Sequence, residues 1–290
     1  MDAQFAFFGT GEIAVGVLNE LEKARMLPAL IVTSPDAPAG RGRAMTESSV
    51  AKWAASRTID VLKPKKLDEA FLSELEARNS KLEASVGVVV DYGALIPQSV
   101  IDAFSHGILN MHPSLLPRLR GPSPIRTAIL TDEKETGVSI MLLDAELDHG
   151  PIVAQKKVAI PNWPPKGRDL DALLSSEGGK LLAKMLPHWV NGDIEAQEQN
   201  HDVATYSAEI QKNDAQLDLA GDAHQNLLKI RAYDGWPWAF AYFRRGDKRI
   251  RVIVVDAHIE NEKLVLDRVK PEGKQEMAYA DFARSGVTPE

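Results

Sequence analysis

The chain is expected to be a two-part α/β protein, with a Rossmann-like, mostly parallel sheet first and a small β-rich domain after it. Over the first 160 residues, short apolar runs alternate with helical patterns, as strands joined by helical crossovers do. The strongest apolar run, Val86–Val90, is rich in valine, as a strand buried on both faces must be. Beyond about residue 205 a single helical segment gives way to short strand-like runs. The expected division is 1–190, a polar connector at 191–205, and 206–290.

Residues 5–8 make the first strand, which stops at Gly9-Thr10-Gly11. Ile13, Val17, Leu18 and Leu21 then share one helical face. Residues 30–33 form the second strand, a polar loop spans 34–43, and a helix follows at 48–56. A short strand is expected at 59–62, and Asp68 is placed to cap a helix ending near Arg78. Val86–Val90 ends in Asp91-Tyr92-Gly93, and Gly107-Ile108-Leu109 opens the strand that bears Asn110. A helix at 123–130, a strand pair at 136–143 and 152–160, and a helix at 169–186 complete the first domain. The second has a helix at 220–233, with its clearest strands at 249–255 and 263–269.

Composition narrows the function classes. The chain has 290 residues, 44% apolar and 26% charged, with no apolar run of the roughly 18 residues a membrane span needs. Met1-Asp2-Ala3-Gln4 lacks a basic leader, and the absence of cysteine removes disulfides and thiolate nucleophiles, so a cytoplasmic location is expected. A net charge of -7 argues against a general nucleic-acid binder. Residues 207–290, however, hold 13 Lys and Arg against 14 Asp and Glu with local basic runs, which leaves room for a patch-wise RNA contact.

The chemistry concentrates in Asn110, His112 and Asp148. At strand spacing, positions 110 and 112 project to one side, at a strand's carboxyl end, where open α/β sheets bind ligands. An amide and an imidazole can hold a developing oxyanion, and a carboxylate can set the imidazole's charge and take a proton. Those are the parts for passing an acyl group to an amine without a covalent enzyme intermediate. Blander readings stand beside this one: His112 as a structural histidine, Asp148 as a turn former, and Asp144 as the rival carboxylate. His112, Asp148 and His149 are competent zinc ligands, but metal spacing is lacking and no metal is expected.

Gly9-Thr10-Gly11-Glu12-Ile13-Ala14 matches a dinucleotide fingerprint, yet Glu12 would put a negative charge where phosphates sit, so a tight strand-to-helix turn is the better account. Arg41 and Arg43, in a Pro/Gly loop, suit phosphate contacts or are simply solvated. Trp236-Pro237-Trp238 reads as core or a domain seam, and Trp163 as a surface plug or a lid.

Asn110-x-His112-Pro113-Ser114-Leu115-Leu116-Pro117, then Arg120-Gly121-Pro122-Ser123-Pro124-Ile125, then Asp148-x-Gly150 closely resemble the folate-dependent formyltransferases. The loop Ser34-Pro35-Asp36-x-Pro38-Ala39-Gly40-Arg41-Gly42 is similar to that of the branch acting on methionyl-tRNA, which reaches into the acceptor stem of the initiator tRNA. The resemblance runs from residue 5 to about 255. His149 stands where the family usually has a small residue, Pro113 replaces a common glycine, and the stretch after Val255 is about twenty residues short.

The resemblance implies a formyltransferase domain followed by an OB-like, truncated barrel. It implies transfer of a formyl group from 10-formyltetrahydrofolate to the α-amine of initiator Met-tRNA, by a monomer. Asn110, His112 and Asp148 would be catalytic, and Ser114, Leu115, Leu116 and Pro117, with Val90, Tyr92 and Asp144, would line the folate site. Arg41 and Arg43 would meet tRNA. The rival activities are formylation of a small amine such as an amino-sugar nucleotide, and hydrolysis of the same donor.

Overall fold

The structure, a computed structural model, describes residues 4–39 and 44–290. It divides into two compact units. The first holds Met1–Pro122, Thr136–Val158 and Ala172–Tyr206; the second holds Ser123–Glu135, Ala159–Asp171 and Ser207–Glu290. Segments 123–135 and 159–171, expected in the first domain, therefore cluster with the second unit.

Seven strands form the sheet of the first unit: β1 (Phe5–Gly9), β2 (Leu30–Val32), β5 (Asp60–Leu62), β6 (Val86–Val90), β7 (Ile108–His112), β8 (Thr136–Leu142) and β9 (Ile152–Val158). Their order is β5-β2-β1-β6-β7-β8-β9. The first five run parallel, and β8 and β9 add an antiparallel edge after β7. β1 and β6 lie mid-sheet with every residue buried, which is why both read as unbroken apolar runs. Below them Phe8, Leu30, Val32, Phe71, Leu75, Val100 and Phe104 pack into one core.

Helix α1 (Glu12–Lys23) buries Ala14, Val17, Leu18 and Leu21, while Ile13 is only partly covered. The turn before it is tight. A Cβ on Gly9 would lie 2.6 Å from Phe7 Cε1, 2.8 Å from Ala14 Cβ and 2.9 Å from the Val90 carbonyl oxygen. A Cβ on Gly11 would strike the Asp91 carboxylate, and Glu12 accepts a hydrogen bond from Ser49 Oγ at 2.6 Å. Two carboxylates at this turn favour the packing account of the glycines over a pyrophosphate site.

Several elements depart from expectation. β3 (Ala37–Ala39), inside the expected loop at 34–43, pairs antiparallel with β4 (Ala44–Thr46) just after it; residues 40–43, and so Arg41 and Arg43, lie outside the described residues. After α2 (Ser49–Ala55), helix α3 (Glu69–Leu82) starts as predicted, with Asp68 accepting from Phe71 N at 3.2 Å, but runs past Arg78. Its stop is a left-handed Glu83 (φ 54°), backed by the Asn79 side chain, which bonds both backbone groups of Ala84. A short helix α4 (Gln98–Ile101) was not anticipated. Helix α6 (Gly167–Val190) continues past Pro187, which is consistent with a proline's removing only one N–H near a helix end.

In the second unit, β10 (Phe240–Arg245), β11 (Lys248–Glu260), β12 (Lys263–Pro271), β13 (Met277–Ala278) and β14 (Thr288–Pro289) form an open antiparallel sheet in the order β13-β12-β11-β10-β14. Its register shifts around Asp256, where a bulge bends the long β11. Helices α5 (Pro124–Leu130), α7 (Ala223–Ala232) and α8 (Tyr279–Ala283) complete the unit. Phe240, Phe243, Val252, Val254, Val269 and Phe282 fill its core. The Trp163 indole N–H donates to Asp132 Oδ1 at 2.6 Å, and His224 Nε2 meets the other oxygen at 3.1 Å. No helix among the described residues is long and apolar enough to cross a membrane.

Candidate active site

The site grows from the carboxyl end of β7. That strand is held on one side by β6 (Val89 against Asn110) and on the other by β8 (Met141 against Asn110, Ser139 against His112). Asn110 and His112 therefore project with little freedom from a strand bonded on both edges. Asp148 arrives from the turn between β8 and β9, with φ at 48°, in the left-handed region that a non-glycine residue enters at a cost.

These three side chains meet. Asn110 Nδ2 donates to Asp148 Oδ1 at 3.1 Å, and the Gly121 backbone N–H donates to Asp148 Oδ2 at 2.7 Å. His112 Nδ1 lies 3.6 Å from Asp148 Oδ2, too far for a hydrogen bond but close enough for ion pairing. His112 Nε2 lies 2.9 Å from the Leu119 carbonyl oxygen. A carbonyl can only accept, so Nε2 carries a proton and Nδ1 is the nitrogen that faces Asp148. His112 and Asp148 are only 5% and 8% exposed, so the pair works largely out of bulk water. Both carboxylate oxygens are already accepting, which fixes the plane of Asp148.

Asp144, the rival carboxylate, does something else. Its Oδ1 accepts from Glu146 N at 2.9 Å, and its Oδ2 meets His149 Nδ1 at 2.7 Å. His149 in turn stacks on His201, ring centroids 4.1 Å apart and planes within 2°.

The segment after His112 is pinned from β8 and β9. Ser139 Oγ donates to the Ser114 carbonyl at 2.7 Å and accepts from Leu116 N at 3.1 Å, and Gln155 Nε2 donates to the Leu116 carbonyl at 2.9 Å. Ser114 Oγ donates to the Arg118 carbonyl at 2.6 Å. Ser114 and Leu116 are buried, whereas Leu115 and Pro117 keep partly open faces. Val90 is buried at the end of β6. Tyr92 packs edge-on against Phe8 with centroids 5.8 Å apart, and burial pushes its phenol up to about 12, so the ring is a neutral core group.

Four participants escaped the sequence reading: the Leu119 carbonyl, the Gly121 N–H, Arg120 and Gln199. Backbone groups carry no residue signature. Arg120 stood inside a quoted motif without a role, and Gln199 in what read as a polar connector. Gln199 Nε2 donates to the Asp148 carbonyl at 3.0 Å and the Gly150 carbonyl at 2.7 Å, and its Oε1 accepts from Arg120 Nη2 at 2.7 Å.

A profile described as formyl transferase matches residues 3–184. The methionyl-tRNA formyltransferase of Chloroflexus aurantiacus is 39% identical over 244 residues, covering 84% of this chain and 77% of that protein. That of a Roseiflexus species is 36% identical over 308 residues, covering 98% of this chain and 93% of the relative. An alignment of that span exceeds the 290 residues here, so the relative carries positions that this chain lacks. Among solved structures, an N-formyltransferase from Helicobacter canadensis, in complex with folinic acid and dTDP-3-aminofucose, superposes with a TM-score of 0.64 at 21% identity, covering 89% of this chain and 88% of that one. At that identity the likeness extends to the fold alone.

Proposed function

The chain belongs to the formyl transferase family, and on that footing we propose that it passes the formyl group of 10-formyltetrahydrofolate to the α-amine of initiator methionyl-tRNA in the cytoplasm. The observation that carries the reading is the meeting of Asn110, His112 and Asp148 at the end of β7, with both oxygens of Asp148 held and His112 Nδ1 left facing it. Folate as donor class is supported by the family match and by the folinic acid bound to the Helicobacter canadensis protein.

Attack of a neutral amine on the formyl carbon puts negative charge on the formyl oxygen and leaves a surplus proton on nitrogen. Asn110 spends one amide hydrogen on Asp148 and has the second for the oxyanion. His112, with Nε2–H held by Leu119, donates from Nδ1 when that nitrogen is protonated too. Preorganised donors of this kind are each worth roughly 100- to 1000-fold in rate. Asp148 is the base that removes the amine proton, directly or through water; collapse of the tetrahedral intermediate then breaks the bond from the formyl carbon to the folate nitrogen, and tetrahydrofolate leaves with that nitrogen protonated. Leu115 and Pro117, whose faces are partly open, would border the donor together with the backbone near Val90, Tyr92 and Asp144.

The acceptor assignment leans on the 36–39% identical relatives and on the arginines at sequence positions 41 and 43 of the Pro/Gly loop. Incubating the protein with 10-formyltetrahydrofolate and either Met-tRNA, an amino-sugar nucleotide or buffer alone should yield formyl-methionyl-tRNA in the first case and little formyl-sugar or formate in the other two. Formyl-sugar or free formate as the main product would overturn the reading. Arg41→Ala should raise KM for Met-tRNA by roughly tenfold, the scale of one charge-assisted phosphate contact, and leave that for the folate unchanged. An unaltered KM for tRNA would return Arg41 to a solvated surface role.

A further inference from the structure

We propose that Gln199 is a positioning residue for Asp148, and that with Arg120 it holds the loop carrying this carboxylate in its reactive placement. The inference rests on formyl transfer with Asp148 as the base. It adds a residue that touches none of the reacting atoms.

Asp148 sits in the left-handed region of the backbone map, where non-glycine residues are uncommon although aspartate tolerates it better than most. Its φ is 48°, and residues in this region persist where their surroundings hold them. The holding groups can be read one by one. Gln199 is 5% exposed and spends both amide hydrogens on the loop, one on the carbonyl of Asp148 at 3.0 Å and one on that of Gly150 at 2.7 Å. Its amide oxygen accepts from Arg120 Nη2 at 2.7 Å and Nε at 3.2 Å. Arg120 is 2% exposed and also donates from Nη2 to His201 Nδ1 at 2.8 Å, and His201 is the ring on which His149, the residue next to Asp148, is stacked.

Two further contacts close the arrangement. The Gly121 N–H, one residue after Arg120, holds the Asp148 carboxylate. One dipeptide therefore grips Asp148 twice: position 121 binds its side chain, and position 120 binds its backbone through Gln199. Gln199 is itself fixed from the other side, because Gln197 exchanges backbone hydrogen bonds of 2.7 and 2.8 Å with Ile152 at the start of β9.

Only a glutamine side chain meets these demands. It offers two donors to two carbonyls and an acceptor to the guanidinium. Glutamate keeps the acceptor but has no hydrogen for the carbonyls. Methionine has similar length and no polar atoms, and asparagine is one methylene short. Without the clamp the loop can relax from the left-handed conformation, carrying the carboxylate off the geometry set by Asn110 and Gly121. Displacements of about 1 Å in such a group cost on the order of 100-fold in rate.

Gln199→Met should therefore lower kcat by about 100-fold and leave both KM values within about twofold, the signature of a group that acts on the transition state alone. Combined with Asp148→Asn it should cause no further loss, because both changes disable one unit. A folded Gln199→Met with a kcat near wild type, or a double variant whose losses multiply, overturns the proposal. Should that variant fail to fold, Gln199→Glu, which retains a partner for Arg120, is read in the same assays. Failure of both to fold overturns the proposal in favour of a purely structural glutamine. Wild-type protein that does not formylate Met-tRNA would instead defeat the functional reading on which the proposal rests.

Discussion

Asp148→Asn is expected to lower kcat for formyl transfer by at least about 100-fold while the protein still folds. The substitution conserves shape and removes two things at once. It abolishes the negative charge facing His112 Nδ1 at 3.6 Å, and it takes away one of two acceptors. Oδ1 and Oδ2 receive hydrogen bonds from Asn110 Nδ2 and the Gly121 N–H, so an asparagine can satisfy one donor only by turning its NH2 against the other. The amine proton then has no base of comparable strength in this cluster. Single-turnover formyl transfer with Met-tRNA in excess reads the chemical step directly. A rate within about tenfold of wild type would remove Asp148 from the proton path, because positioned acid–base groups usually contribute 100-fold or more.

What the sequence disclosed about this site follows from which atoms do the work. Asn110 and His112 stood out because side-chain chemistry and strand spacing coincide there, and β7 places them as that spacing implied. Asp148 was separable from Asp144 only by resemblance; in the structure the bonds of Asp144 run to Glu146 and His149. The Leu119 carbonyl and Gly121 N–H are main-chain groups, identical in every residue, so no reading of side chains finds them. Gln199 fell in a segment without periodicity, where a polar residue looks like surface.

The fold shows the same division. β6 was bounded to the residue because burial on both faces demands an unbroken apolar run. The end of α3 was missed because no glycine marks it: Glu83 takes the left-handed conformation and Asn79 supplies the bonds to Ala84 that make the stop tolerable. The segments 123–135 and 159–171 read as part of the first sheet's pattern, yet their side chains answer to the second unit. Asp132 meets His224 at 3.1 Å, and Lys166 reaches Asp256 at 3.0 Å. Local periodicity identifies a helix but not the core against which it packs.

His112→Ala should be at least as damaging to catalysis as the change at Asp148, and it should differ by also weakening the fold. The imidazole has two tasks on opposite edges. Nε2–H satisfies the Leu119 carbonyl in a buried setting, while Nδ1 faces the Asp148 carboxylate and, in the proposed mechanism, the formyl oxygen. Removing the ring strands that carbonyl, at a cost of about 1–3 kcal/mol, and deletes an oxyanion donor, at a cost of roughly 100- to 1000-fold in kcat. His112→Gln separates the two. Its amide can present an N–H in place of one ring nitrogen, so much of the lost stability should return, measured by urea unfolding. Its rate should stay low, because a glutamine amide that binds Leu119 cannot also place a donor where His112 Nδ1 stands. If His112→Gln instead restored turnover along with stability, the ring would be structural, and Asn110 with Asp148 would have to carry the chemistry alone.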